Sequence, residues 1–254
     1  LTGTDVSCNG FCDGTASVSA SGGTPSYSYL WSDGQQTSDA VDLCAGTFSV
    51  VVTDGNACTA SDNITISENP PVTGTTSQTN VSCYGQCDGE ATVTASGGTG
   101  VFSYLWSDQN GQTNANATGL CAGQYSVEIA DQNNCVEILN VTITQPSEIV
   151  ISAPNFISIC QGSSANINAS VSGGTPPYYY YWDNVLGNSS SQVSPMTDSS
   201  YSVYAQDLNG CQTNTVDVTV LVSPDVFLSL GSNTDSICPG DNATIITNIS
   251  GGVA

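Results

Sequence analysis

Residues 6–33 read VSCNGFCDGTASVSASGGTPSYSYLWSD, and residues 81–108 repeat that stretch as VSCYGQCDGEATVTASGGTGVFSYLWSD. A weaker third copy runs from Ser158 to Asp183, and a fourth begins at Ile237. Self-similarity at a fixed period is typical of a chain built from small repeated units. The expected units are residues 1–70, 71–146 and 147–223, with the start of a fourth at 224–254.

Each unit predicts a small all-β domain. Short stretches alternate small apolar and polar residues, which is the pattern of half-buried strands, and Gly-Gly-Thr and Asp-Gly turns separate them. Six or seven such strands without a helical period favour an antiparallel, immunoglobulin-like β-sandwich. Short junctions that contain proline should be stiff, so we expect the sandwiches to lie end to end.

One tryptophan closes an aromatic strand in each unit: Trp31, Trp106 and Trp182. We expect these residues to anchor the three cores, and the alternative is a platform on which sugars stack.

The charge inventory excludes several classes of partner. The chain has 22 acidic residues and no Lys, Arg or His, so nothing can neutralise the phosphates of a nucleic acid. Anionic membrane surfaces are excluded for the same reason. No apolar run approaches the 18 residues of a membrane span, so direct membrane insertion is not expected.

The same inventory argues against catalysis. A Ser–His–Asp triad needs histidine, and Schiff-base chemistry needs lysine. A glycosidase needs two carboxylates facing each other across a cleft, but the five glutamates are scattered over predicted strands and junctions. The sequence therefore predicts a protein that is not an enzyme and requires no cofactor.

Eleven cysteines in an acidic chain rich in Gly, Ser and Thr predict disulfides and an oxidising, extracellular location. Units 1 and 2 hold four cysteines each. Unit 3 has Ser164 and Thr197 where unit 1 has Cys12 and Cys44, and two cysteines missing together indicate one missing bond. The resulting predicted pairs are Cys8–Cys58, Cys12–Cys44, Cys83–Cys135, Cys87–Cys121 and Cys160–Cys211. Cys238 aligns with Cys160, and its partner is expected beyond Ala254. A redox or metal role for the CxxxC pairs is the alternative.

An Asp-x-Asn pattern precedes the last cysteine of each unit. Oxygen ligands of this kind suit calcium, but Asp and Asn also form turns by bonding their own backbone. Turn formation is the favoured interpretation, with calcium as the alternative. The residues concerned are Asp54, Asn56, Asp131, Asn133, Asp207 and Asn209.

The pattern VSCxGxCDGxAxVxASGGTxxxSYLWSD, followed by LCAG at residues 43–46 and 120–123 and by D-x-N-x-C, resembles the SprB repeat of giant surface adhesins in gliding Bacteroidetes. Residues 1–146 match well, whereas unit 3 is nearer a generic immunoglobulin-like or PKD-like domain. The resemblance implies a secreted cell-surface filament, exported by the type IX system, that serves surface attachment or gliding. It also marks Ser236 as a weak O-glycosylation candidate.

The function expected from these features is a structural and adhesive segment of that filament. Its expected partners are other copies or segments of the filament and glycans of a cell surface or substratum. The alternative is a glycan- or protein-binding module that calcium assists. Its candidate residues are Tyr178, Tyr179, Tyr180 and Tyr181, because four successive tyrosines cannot all face inward; they are otherwise an inter-unit or inter-chain contact.

Overall fold

The computed structural model describes residues 1–224, 227–231 and 246–250, and every regular element in these ranges is a β-strand. The predicted all-β, immunoglobulin-like class is confirmed. Ser236 and Cys238 lie outside the described residues. No helix among the described residues is long and apolar enough to span a membrane.

The first repeat is a sandwich of two three-stranded sheets, with strand orders β1-β2-β4 and β3-β5-β6. Its strands are β1 (Thr2–Thr4), β2 (Gly14–Ser17), β3 (Ser28–Trp31), β4 (Asp39–Leu43), β5 (Gly46–Thr53) and β6 (Thr59–Ile66).

The second repeat has the same two sheets in longer form, with strand orders β10-β8-β7 and β12-β11-β9. Its strands are β7 (Thr73–Thr79), β8 (Gly89–Ser96), β9 (Ser103–Trp106), β10 (Asn116–Leu120), β11 (Gly123–Ala130) and β12 (Val136–Ile143).

The third repeat builds one sheet of five strands, in the order β14-β21-β20-β17-β18, and two pairs, β13-β16 and β15-β19. Its strands are β13 (Val150–Ser152), β14 (Phe156–Cys160), β15 (Ala165–Asn168), β16 (Ser170–Ser172), β17 (Tyr179–Trp182), β18 (Val185–Gly187), β19 (Ser190–Val193), β20 (Ser199–Gln206) and β21 (Val216–Ser223). An antiparallel pair follows, formed by β22 (Phe227–Gly231) and β23 (Ile246–Ser250).

Each repeat buries its own apolar core, and its tryptophan lies in that core. Trp31 and Trp106 are 2% exposed and Trp182 is 7% exposed. Each indole N–H also donates to a backbone carbonyl, those of Thr37, Asn114 and Asn188, at 2.9–3.0 Å. A buried indole N–H needs such a partner, and rings buried in this way are not exposed platforms for sugars.

The chain divides into two compact units. One consists of residues 1–81 and 87–144, which include the sandwiches of repeats 1 and 2. The other consists of residues 82–86 and 145–254. The short loop 82–86 of repeat 2 therefore groups with repeat 3 rather than with its own sandwich.

Candidate functional site: the disulfide joints between repeats

In each repeat, an Asp-x-Asn-x-Cys turn connects the two strands of the core hairpin. This turn is here called the last-cysteine turn and consists of residues 54–58, 131–135 and 207–211. In all three, Asp Oδ1 accepts the backbone N–H groups of the Asn and the Cys at 2.9 Å. Asp Oδ2 accepts the N–H of the threonine in the Gly-Gly-Thr turn at 2.8–2.9 Å. The aspartate therefore sets both the path of the turn and the position of the cysteine.

These bonds account for the three aspartates as turn formers, because both carboxylate oxygens of each already accept N–H donors. The asparagine amides donate to the same threonine hydroxyls at 2.7–3.4 Å. In the part of the chain that the structure describes, no three acidic, histidine or cysteine side chains are grouped to hold a metal ion. The turn interpretation is favoured, and calcium binding stays an untested prediction.

The first cysteine of each repeat begins another recurring turn, here called the first-cysteine turn: residues 8–11, 83–86 and 160–163. The N–H of the fourth residue donates to the cysteine carbonyl at 3.0–3.1 Å in every copy. The third residue is always glycine, with φ of 75–81°, a left-handed conformation that glycine adopts without strain.

Two disulfides connect these turns between repeats. Cys8 of repeat 1 bonds Cys135 of repeat 2, and Cys83 of repeat 2 bonds Cys211 of repeat 3. Their Cα–Cα distances are 5.5 and 5.6 Å, within the usual range. The first-cysteine turn of one repeat is thus bonded to the last-cysteine turn of the next, and we call this pair a repeat joint.

Polar contacts accompany each repeat joint. Cys135 Sγ lies 3.3 Å from the Ser7 carbonyl oxygen, and Cys211 Sγ lies 3.4 Å from that of Ser82. The Asn209 amide also donates to the Ser82 carbonyl at 3.0 Å.

Burial differs between the joined turns and the third one. Asp131 and Asp207, in turns that belong to repeat joints, are only 4% and 1% exposed. Asp54, whose turn carries an unbonded cysteine, is partly exposed. The aspartates of the joined turns are therefore shielded from water.

Two further disulfides lie within repeats, as the sequence predicts. Cys12–Cys44 and Cys87–Cys121 close loops of 32 and 34 residues, with Cα–Cα distances of 3.8 and 3.9 Å. Each ties the segment after a first-cysteine turn to the end of β4 or β10. The joint and the repeat core are thereby covalently connected.

The predicted within-repeat pairs Cys8–Cys58, Cys83–Cys135 and Cys160–Cys211 are wrong. In repeat 1, the Val6 N–H donates to the Ser67 carbonyl at 3.2 Å, which places Cys8 beside the end of β6. Cys58 directly precedes the start of β6. A strand of eight residues spans about 25 Å, whereas disulfide Cα atoms lie within about 7 Å of each other.

Repeat 3 shows the same separation. β14 runs parallel to β21, and Cys160 is opposite Ser223 at the end of β21. Cys211 lies before the first residue of β21 and therefore at the other end of the sandwich. The first and last cysteines of a repeat cannot meet, but each can meet a neighbouring repeat.

Cys58 and Cys160 are exposed and carry free thiols in the part of the chain that the structure describes. Cys58 belongs to the last-cysteine turn of repeat 1, and Cys160 to the first-cysteine turn of repeat 3. Among the described repeats, the last cysteine is bonded when another described repeat precedes its own. The first cysteine is bonded when another described repeat follows.

The four successive tyrosines alternate across β17 and the residue before it. The Tyr178 hydroxyl donates to the Gly173 carbonyl at 2.7 Å, and Tyr180 packs on the repeat 3 core. Tyr179 is 43% exposed. Tyr181 is partly exposed and stacks on Tyr204, with ring centroids 4.8 Å apart. Tyr179 and Tyr181 therefore lie on the open face of the five-stranded sheet.

Hydrogen bonding shifts the titration of two of the turn aspartates. The pKa of Asp54 is below its ordinary value, chiefly because the N–H groups of Thr24 and Cys58 donate to the carboxylate. At Asp131, burial raises the pKa, but donors from Cys135 and Thr99 outweigh it, and the pKa is lowered. Both groups therefore stay ionised in the fold at pH values where an unfolded aspartate takes up a proton.

We expect the melting temperature to fall on acidification below about pH 4. Unfolded aspartates, with a pKa of about 3.9, bind protons before the folded ones do, so stability is complete above about pH 5 and is lost as the pH falls through the folded pKa values. Measurement in about 0.5 M NaCl screens repulsion among the net charge of −22. Asp54→Asn should reduce the fall, and a melting temperature that rises below pH 4 in this salt contradicts the assignment.

Comparison with known proteins identifies the repeat. The SprB repeat matches this chain at residues 1–36, 75–111 and 158–187. Each matched segment contains one first-cysteine turn and one core tryptophan. No curated protein sequence matches the chain.

Several solved structures are similar in fold. The three N-terminal domains of the Highly Immunogenic Outer Capsid protein of bacteriophage RB49 have 14% identity and a TM-score of 0.39, covering 85% of this chain and 96% of that one. A titin I-band fragment has 13% identity and a TM-score of 0.38, covering 87% and 96%. Extracellular domains 3–5 of Drosophila OTK have 11% identity and a TM-score of 0.34, covering 78% and 86%.

The quoted sequence pattern, its recurrence on equivalent strands and turns, and the three matched segments agree with one another. Three segments of the chain therefore match the SprB repeat, and the repeats that contain them fold as immunoglobulin-like β-sandwiches.

Proposed function

We propose that this chain is a structural and adhesive segment of a long extracellular filament at the cell surface. The observation that carries the proposal is the pair of disulfides joining successive repeats, Cys8–Cys135 and Cys83–Cys211. If the chain needed only folded domains, disulfides inside each domain would supply the required stability. Bonds from one repeat to the next give a load along the chain a covalent path that bypasses most of the three sandwiches.

Stability supports the same role. The two joints close loops of 127 and 128 residues, and loops of this size correspond to about 4–5 kcal/mol each in the chain-entropy account. Such bonds persist in an oxidising, extracellular setting. The surface, with 22 acidic groups and no basic side chain, repels nonspecific anionic partners.

The SprB resemblance supports two further parts of the proposal, which are export by the type IX system and a role in surface attachment or gliding. The proposed partners are other filament segments and glycans of the substratum. The proposal assigns the chain no catalytic role and no required cofactor.

A filament segment should be accessible on intact cells. Antibodies raised against this chain are expected to label extended structures at the surface of unpermeabilised cells, seen by electron microscopy with gold-conjugated antibody. An antibody to a cytoplasmic protein is the control and should label only permeabilised cells. Labelling of both proteins only after permeabilisation would contradict the proposal.

One observation favours the alternative of a binding module. Tyr179 and the Tyr181–Tyr204 stack form an aromatic surface on the open face of repeat 3, and the matching position to Tyr181 in repeat 2 is Leu105. Aromatic rings of this kind offer apolar area with a polar tip. Saturable binding of the purified chain to immobilised glycans, lost in Tyr179→Ala and retained in Leu105→Ala, would favour this alternative.

A further inference from the structure

Cys58 and Cys160 occupy the two halves of a repeat joint. Cys58 lies in a last-cysteine turn and Cys160 in a first-cysteine turn, and both carry free, exposed thiols among the described residues. We propose that each forms a repeat joint with another SprB repeat of the same protein. The first cysteine of every repeat would then bond the last cysteine of the repeat that follows it.

The turn around Cys58 already has the geometry of the two joined turns. Asp54 Oδ1 accepts the N–H groups of Asn56 and Cys58 at 2.9 Å, and the values in both joined turns are the same. Asp54 Oδ2 lies 2.9 Å from the Thr24 nitrogen, within 0.1 Å of its counterparts. The receiving half is thus formed before any partner binds, which lowers the ordering cost of binding.

The turn around Cys160 has the geometry of the other half. The Ser163 N–H donates to the Cys160 carbonyl at 3.0 Å, and Gly162 has φ of 81°. The Gln161 N–H donates to the Ser223 carbonyl at 2.9 Å, so the thiol lies beside the end of β21. Cys8 lies in the same way beside the end of β6, and Cys8 is bonded.

Bond formation is an oxidation of two thiols. Cys58 and the first cysteine of another repeat lose two protons and two electrons together, and Cys160 and the last cysteine of another repeat do the same. The electrons pass by thiol–disulfide exchange to a protein disulfide oxidant, which is reduced to its dithiol. No other group is consumed.

Disulfide mapping of the native protein, isolated from the cells that make it with free thiols alkylated, tests the proposal. Pepsin is the suitable protease because the chain offers trypsin no Lys or Arg, and its acidic pH suppresses thiol exchange, which needs the thiolate. We expect Cys58 linked to a peptide containing Cys-x-Gly, and Cys160 linked to one containing Asp-x-Asn-x-Cys. Each linked form should exceed the alkylated form at least tenfold.

Controls are internal to the digest, because Cys8–Cys135 and Cys83–Cys211 must appear intact in the same sample. Alkylated Cys58 and Cys160 in that sample overturn the proposal. The proposal is also overturned if either cysteine is bonded to a peptide of another protein or to a peptide without these turns. A bond between Cys58 and Cys160 overturns it as well. Surface labelling is a separate measurement, so failure of this inference is distinguishable from failure of the proposed function.

Discussion

Stretched from its two ends in oxidising buffer, this chain should stop lengthening at about 250 Å, whereas the fully reduced chain should reach about 890 Å, at about 3.5 Å per residue. The reason is that force follows the shortest covalent path. That path runs through Cys8–Cys135, then through Cys121–Cys87, and leaves through Cys83–Cys211, so that it includes only roughly 72 of the 254 residues. Single-molecule force spectroscopy with handles at the two ends measures both limits.

Paired serine variants make the measurement specific to each repeat joint. Replacing Cys83 and Cys211 by serine leaves Cys8–Cys135 as the best remaining shortcut, and the limit should rise to about 450 Å. Replacing Cys8 and Cys135 is the matched comparison, because the path through Cys12–Cys44 and Cys83–Cys211 survives. Its limit should therefore rise only to about 330 Å.

The same variant separates the joined arrangement from bonds confined to single repeats. If Cys83 bonded Cys135 and Cys211 bonded Cys160, the first serine pair would remove two bonds and extend the limit to about 600 Å. A limit near that value would contradict the repeat joints. An unchanged limit in the first variant would show that Cys83–Cys211 carries no load.

The β-sandwich of each repeat was accessible from sequence because its signals are local. The alternation around residues 15–21 and the aromatic strand ending at Trp31 both depend on side chains a few residues apart. The Asp-x-Asn-x-Cys turn is also local, since Asp54 bonds residues two and four positions on. Local patterns of this kind specify a fold whichever neighbours the repeat has.

The repeat joints were not predicted, because comparing units reveals only which cysteines are equivalent. The absence of counterparts to Cys12 and Cys44 in repeat 3 identified a bonded pair correctly. The remaining first and last cysteines can pair equally well within one repeat or between neighbouring repeats. The number of cysteines therefore does not decide between the two arrangements. The direction of the strands decides it: β14 and β21 are parallel, which separates Cys160 from Cys211 by the length of the sandwich.

Asp207→Asn should destabilise repeat 3 by about 3 kcal/mol, an effect at the upper end for a single polar substitution. Asp207 is 1% exposed, and its carboxylate accepts the N–H groups of Thr175, Asn209 and Cys211. An amide of the same shape keeps one acceptor oxygen but turns an N–H₂ group toward a buried donor. Urea unfolding read by hydrogen exchange and mass spectrometry reports repeats 1 and 3 separately.

The matched control is Asp54→Asn, in the same turn of repeat 1. Water reaches the partly exposed Asp54 site and replaces lost hydrogen bonds, so the cost there should be about 1 kcal/mol. Because Asp207 also holds Cys211 in place, Asp207→Asn should make Cys83–Cys211 reducible faster than Cys8–Cys135 in the same molecule. Equal costs for the two substitutions, or equal rates of reduction for the two joints, would show that the aspartate does not position the cysteine.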